Sequence, residues 1–157
     1  MVSLRNSFGG VVGLSLTWTD PNCPVARAVD VIGDRWSLLI VRDAMDGARS
    51  FTDFQQRTGI ARNILADRLR KLVAHGLISQ VEAPSGKRRV YELTAAGKDL
   101  FPVLVTLRQW GERHAFDADE PHSVLVDDEG TVVPRVVPTA GDGRPLTSDT
   151  TSVRGRG

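Results

Sequence analysis

From Pro24 to Trp110 the apolar positions follow two periods, one helical and one alternating. Val25, Ala28, Val29 and Ile32 form a stripe at three- and four-residue steps. This predicts a helix entered at Asn22-Cys23-Pro24, where a first-turn proline loses no hydrogen bond, and ended at Gly33. A second helix is predicted from Asp34 to Met45, with Trp36, Leu39, Ile40 and Ala44 inward, before the turn signal Asp46-Gly47. Arg49 and Ser50 suit a short strand edge, and Ser50 or Thr52 a cap for a helix from Phe51 to Arg57 with Phe51 and Phe54 buried. Thr58-Gly59 turns the chain into a longer helix, Ala61 to His75, whose Leu65, Leu69 and Leu72 share a face and which stops at Gly76.

Alternation replaces the helical period after Gly76. Ile78 to Glu82 and Val90 to Leu93 read as strands joined by the tip Pro84-Ser85-Gly86-Lys87-Arg88-Arg89. Thr94 opens a last helix, Ala95 to about Ala115, in which Pro102 requires a kink or a restart. Beyond Asp117 short apolar pairs are interrupted by Gly, Pro and Asp, which predicts a small ribbon of strands and turns, and Thr147 to Gly157 reads as disordered. The organisation expected is a mobile arm over 1–20, a helical body with a β-hairpin over 21–116, and an acidic extension over 117–157. The fold class is mainly α with a small β-hairpin: a winged helix-turn-helix with N- and C-terminal dimerisation helices and a β-rich tail.

Charge adds to this picture only when the chain is divided. The net +1 of the whole sequence conceals a basic body and an acidic tail, the tail carrying twice as many Asp and Glu as Lys and Arg. Between Arg62 and Arg89 the cations face only Asp67 and Glu82, a density suited to phosphate neutralisation. With the leucines of the long helix turned inward, Arg62, Asn63 and Ala66 occupy its outward N-terminal part, where base edges are read. Arginine bonds guanine bidentately, asparagine bonds adenine, and alanine admits a thymine methyl. Backbone contacts are expected from Arg49, Ser50, Arg68, Arg70, Lys71, Lys87, Arg88 and Arg89, with an intramolecular pair as the alternative for Arg68. An amphipathic helix with exposed arginines is by itself an ordinary solvated helix. The consecutive short helix, glycine turn, basic helix and cationic hairpin are what point to duplex DNA.

These segments resemble the HxlR family of bacterial transcriptional regulators, a branch of the MarR-like winged-helix proteins. The matching stretches are Cys23-Pro24-Val25, Ile32 to Ile40, Arg42-Asp43, Arg49-Ser50-Phe51, Leu65 to Leu72, Gly76-Leu77-Ile78 and Tyr91 to Gly97. The resemblance implies a homodimer that binds double-stranded DNA and acts as a repressor in preference to an activator. Unburied stripes on the first and last helices argue for a dimer independently, with Val25, Val29, Val103, Leu104, Leu107 and Trp110 as interface candidates or, equally, as core. Two recognition helices would then enter successive major grooves about 34 Å apart on a pseudo-palindromic operator. The rival reading is a winged-helix protein-interaction module that does not bind DNA.

The single cysteine excludes an intramolecular disulfide and fits a reducing cytoplasm. Cys23 lies at a predicted helix start with Arg27 four residues on, a setting that favours thiolate character. It is a sensor candidate for an electrophile inducer, as the resemblance to thiol-sensing regulators implies, or else a small apolar residue. A small-molecule ligand between dimer helices is the other control implied. His75, His114 and His122 lack metal-set spacing, and Gly9 to Gly13 lacks the Lys-Ser/Thr of a phosphate loop, so no enzyme, metal or cofactor is expected. No apolar run suits a membrane span or a signal peptide. The tail also resembles that of some HxlR-like proteins, which carry a Cys-Gly pair at each knuckle, as in a zinc ribbon. Here Glu129-Gly130, Pro138 and Asp142-Gly143 stand in their place, which implies a metal-free, degenerate ribbon.

Overall fold

The computed structural model describes residues 17–155; most of the arm expected over 1–20 lies outside them. The chain divides into two units between Phe101 and Pro102. The first carries α1 (Pro24–Ile32), α2 (Ser37–Met45), α3 (Phe51–Thr58), α4 (Arg62–Ala74), β1 (Ile78–Glu82), β2 (Arg89–Leu93) and α5 (Ala95–Lys98). α6 (Phe101–His114) begins at the boundary and leads into the tail.

Local chemistry sets the helix bounds. α1 is capped by Cys23, whose Sγ accepts the Ala26 N–H at 3.4 Å. Ahead of it Thr19 is fastened to Asp30, N–H to Oδ2 at 2.9 Å and Oγ1 to Oδ1 at 2.7 Å. α2 starts three residues later than its apolar pattern predicts. The Asp34 carboxylate stays outside and accepts from the N–H groups of Trp36 (2.9 Å) and Ser37 (3.1 Å) and from the Ser37 hydroxyl. These bonds hold residues 34–36 in a turn ahead of the helix, whose N-cap position is Trp36.

α3 begins with a capping box. Ser50 Oγ accepts from Asp53 N–H at 3.0 Å, and Asp53 Oδ2 accepts from Ser50 N–H at 2.8 Å and Arg49 N–H at 3.0 Å. Those backbone donors, Ser50 first and then Arg49, hold the Asp53 carboxyl below its ordinary value. A depressed carboxylate stabilises the fold above the unfolded pKa, and that contribution is lost as pH falls through the folded value. Ser50→Ala is therefore expected to cost about 1 kcal/mol at neutral pH. Acid titration of Asp53→Asn should show a shallower stability loss below about pH 4 than the parent. Parallel pH profiles would contradict the second expectation.

Gly59 closes α3 at φ +67, and Gly76 follows α4 at φ +71, both in the region that glycine enters without strain. Ile40, Phe54, Leu65, Leu69, Leu72 and Ile78 form the centre of the core, each 1% exposed or less. β1 and β2 pair antiparallel with Ile78 opposite Leu93 and Glu82 opposite Arg89. Tyr91 connects this hairpin to the helices: its N–H donates to Arg49 O at 2.7 Å and its ring meets Phe54 edge-on at 6.2 Å. Arg49 thus lies beside β2 through one backbone bond without forming a strand of its own. The last helix restarts rather than kinks. α5 ends at Lys98, and Pro102 falls in the first turn of α6, where it is tolerated.

The second unit contains a doubled turn. Val126 bridges Val132, and Thr139 bridges Pro145. Asp127 N–H bonds Thr131 O, Gly130 N–H bonds Asp127 O and Val133 N–H bonds Leu125 O; Ala140 with Arg144, Gly143 with Ala140 and Leu146 with Pro138 repeat this pattern. Gly130 and Gly143 both have positive φ. Asp127 Oδ1 accepts from the N–H groups of Glu129 and Thr131, and Asp142 Oδ1 accepts from that of Arg144. The buried Gln109 of α6 clasps this ribbon, its Nε2 donating to Pro134 O at 3.0 Å and its Oε1 accepting from Val136 N–H at 2.9 Å. Where the composition suggests disorder after Thr147, Ser148–Thr150 forms a 3-10 turn.

Candidate nucleic-acid interface

The Leu65, Leu69 and Leu72 stripe fixes the rotation of α4, so Arg62, Asn63 and Ala66 are exposed. Ala61 supplies no side-chain cap, and the first-turn residues Arg62, Asn63 and Ile64 are exposed at the positive end of the helix dipole. Arg62 is directed by α3: its guanidinium lies 5.0 Å from the Phe51 ring centroid, and Nη1 donates to Gln55 Oε1 at 3.2 Å. A planar cation stacked on one face keeps its remaining donors free. No spacing in the sequence marks Phe51 or Gln55 for this role, since both belong to the preceding helix. Ile64, 39% exposed, lies one position off the leucine stripe and adds an apolar side chain to the same turn.

The cations differ in how far neighbours engage them. Arg70 and Lys71 both reach Asp67, at 2.7 and 3.0 Å, pairings their three- and four-residue spacing allows. Bonds from Lys71 and then Arg70 hold the Asp67 carboxyl below its ordinary value. Arg49 pairs with Glu92 of β2, a partner no local pattern indicates. Ser50 serves the α3 cap and is half-buried.

Arg68 departs from the backbone-contact set. Its Nε is buried 3.5 Å from Asp34 Oδ1, an ion-pair distance without a hydrogen bond, which selects the intramolecular alternative. Burial raises the Asp34 pKa, but the Ser37 and Trp36 bonds and the Arg68 charge outweigh it, and the net direction is down. On the wing, Lys87, Arg88 and Arg89 are exposed and form no ion pair among the described residues. Gly86, at φ +68, makes the tip that presents them.

Cys23 is half-buried at its cap position. Arg27, expected beside it, directs Nε to Pro21 O at 2.8 Å and lies 4.8 Å from the Trp18 ring centroid. On α1, Val25 and Val29 are 70% and 57% exposed. On α6, Val103, Leu107 and Trp110 expose an apolar row at i, i+4 and i+7, while Leu104 is half-buried. Among the described residues no helix is long and apolar enough to cross a membrane.

The sequence model of the HxlR-like helix-turn-helix matches residues 31–119, more than half of the chain and all of α2 through α6. The chain belongs to the HxlR-like family. An uncharacterized HTH-type transcriptional regulator of Mycobacterium tuberculosis (strain ATCC 25618 / H37Rv) is 45% identical over 91 residues, covering 57% of this chain. The match covers 58% of that relative's own length. The crystal structure of PA1607, a candidate transcription factor, superposes with a TM-score of 0.83 at 53% identity, over 85% of this chain and 95% of that one. The redox regulator HypR in its oxidized form gives 0.55 at 31% identity, over 61% of this chain and all of that one. The fold is thus a winged helix-turn-helix, with α3 and α4 as its helical pair and β1–β2 as its wing.

Proposed function

We propose that this HxlR-like protein is a dimeric transcription factor that reads a pseudo-palindromic operator, as a repressor. The observation that carries the reading is the combination of an uncapped, outward first turn of α4 with a wing whose three cations have no carboxylate partner among the described residues. Arg62, Asn63 and Ala66 are the base-reading residues. Lys87, Arg88 and Arg89 contact phosphate with their charges unshared. Arg49, Arg70 and Lys71 do so after exchanging or sharing a carboxylate, and the Ser50 hydroxyl, already an acceptor of the Asp53 N–H, still has its own proton to donate. Fluorescence anisotropy on the protein's own upstream DNA, across a salt series, tests the reading. Binding that weakens steeply with salt supports it. Salt-independent failure on every duplex favours the protein-interaction module instead.

The exposed rows on α1 and α6 support dimerisation, each being an apolar stripe left without cover. Trp110→Asp together with Leu107→Asp is expected to shift sedimentation from dimer to monomer and to weaken operator binding at least tenfold, because two half-sites are then no longer held together. A dimer that persists unchanged would remove α6 from the interface. HypR carries the description of a redox regulator, and Cys23 is the residue through which thiol chemistry would reach this chain. A substituent on Sγ removes the acceptor of the Ala26 N–H and loosens the start of α1. Cys23→Ser should keep DNA binding while abolishing any response to an electrophile.

A further inference from the structure

Two side chains of α3 hold Arg62, and neither of them is charged. Phe51 and Gln55 stand four positions apart on that helix, so they share one face. The Phe51 ring lies 5.0 Å from the guanidinium, and Gln55 Oε1 accepts from Nη1 at 3.2 Å. We propose that Gln55 is a positioning residue for Arg62, and that the guanidinium so held selects a guanine in each operator half-site. The inference deepens the DNA-binding reading and rests on it.

The two contacts restrain different motions. Stacking on Phe51 sets the plane of the guanidinium, and the Gln55 bond sets its rotation within that plane. An exposed arginine otherwise spreads over many rotamers and has to be ordered when it meets a base. Here that ordering is already built into the helical pair.

The neutrality of the partner decides what remains for DNA. Arg49, Arg57, Arg70 and Lys71 each meet a carboxylate, whereas Arg62 has none among the described residues. An amide oxygen takes up one N–H and leaves the full positive charge and the remaining N–H groups free. Those groups are all donors, and a base edge that answers two of them must offer two acceptors. Guanine does so in the major groove through N7 and O6. Adenine sets its amine against one of the donors, cytosine presents an amine alone, and thymine offers a single acceptor beside its methyl group.

Selection by the full chain from a random-sequence duplex pool tests the inference without a known operator. The enriched sites should carry guanine at one position per half-site, at least about tenfold over each other base. Arg62→Ala should erase the preference at that position alone. Gln55→Met keeps the length of the side chain without its acceptor. It should reduce the guanine preference about fivefold, the cost of ordering a long side chain on binding. Its affinity for unrelated duplexes should stay unchanged, and in the Arg62→Ala background the same substitution should add nothing. Enriched sites with no Arg62-dependent position, or with one that prefers another base, overturn the guanine assignment. A preference unmoved by Gln55→Met, or an equal loss on every duplex, overturns the positioning role. A chain that retains duplexes without any base preference overturns the inference and leaves DNA binding standing. One that retains no duplex even at low salt defeats the DNA-binding reading itself.

Discussion

Gly97→Ala is expected to destabilise the first unit by about 2–3 kcal/mol, at the upper end for a single added methyl group. A Cβ at Gly97 would lie 2.1 Å from the Leu77 carbonyl oxygen and 3.0 Å from Leu93 Cδ2. The side chain of Leu93 can rotate, but the carbonyl cannot retreat freely. It accepts the Thr94 N–H at 3.1 Å and the Thr94 hydroxyl at 3.2 Å, and that hydroxyl also reaches Gly76 O. Thr94 Oγ1 in turn accepts the Gly97 N–H at 3.1 Å, so four residues share one crowded junction. Relieving the clash means lengthening bonds whose polar groups are partly buried, which adds to the steric cost. Urea denaturation should show a lower midpoint with unchanged slope. A midpoint equal to the parent's would refute the packing argument.

Arg62→Ala and Lys87→Ala are expected to weaken DNA binding in different ways. Arg62 stands on the uncapped first turn of α4 with donors left over from Gln55. Its removal should cost about 1–3 kcal/mol on the operator and much less on unrelated DNA, flattening preference at one base pair per half-site. Lys87, on the exposed wing tip, should weaken all sequences alike and reduce the steepness of the salt dependence by about one for each wing removed. Footprinting and salt titrations that failed to distinguish the two variants would end this division of roles.

What was legible in the sequence is what short-range physics writes there. The leucine stripe of α4, the Ser50 cap, the Gly59 turn, the strand alternation and the break near Pro102 each depend on neighbours within a turn or a strand. They were placed to within a few residues. The α2 start lies three residues beyond the apolar pattern because Asp34 can begin a helix or hold the turn ahead of one, and apolar spacing does not distinguish the two. The pairings that reshape the candidate interface are non-local. Glu92 reaches Arg49 across 43 positions, and no local pattern announces that contact. Arg68 has the composition of a phosphate contact and the position of a half-buried residue, and Asp34 decides between them. Helical spacing marks the Phe51 ring as core alone, since its second face meets Arg62 only when α3 and α4 are set against each other.

The Gln109 clasp has a consequence for how the second unit responds to its surroundings. The side chain that joins α6 to the ribbon is an uncharged amide that neither gains nor loses a proton in water, and both of its bonds are to peptide groups. Ionic strength, which screens the cations facing DNA, has no charge to act on at this joint, and mild acid has no group to titrate there. A salt or pH titration of operator affinity therefore leaves the clasp as a fixed background. A lost grip on the ribbon would have to come from substitution at Gln109 itself.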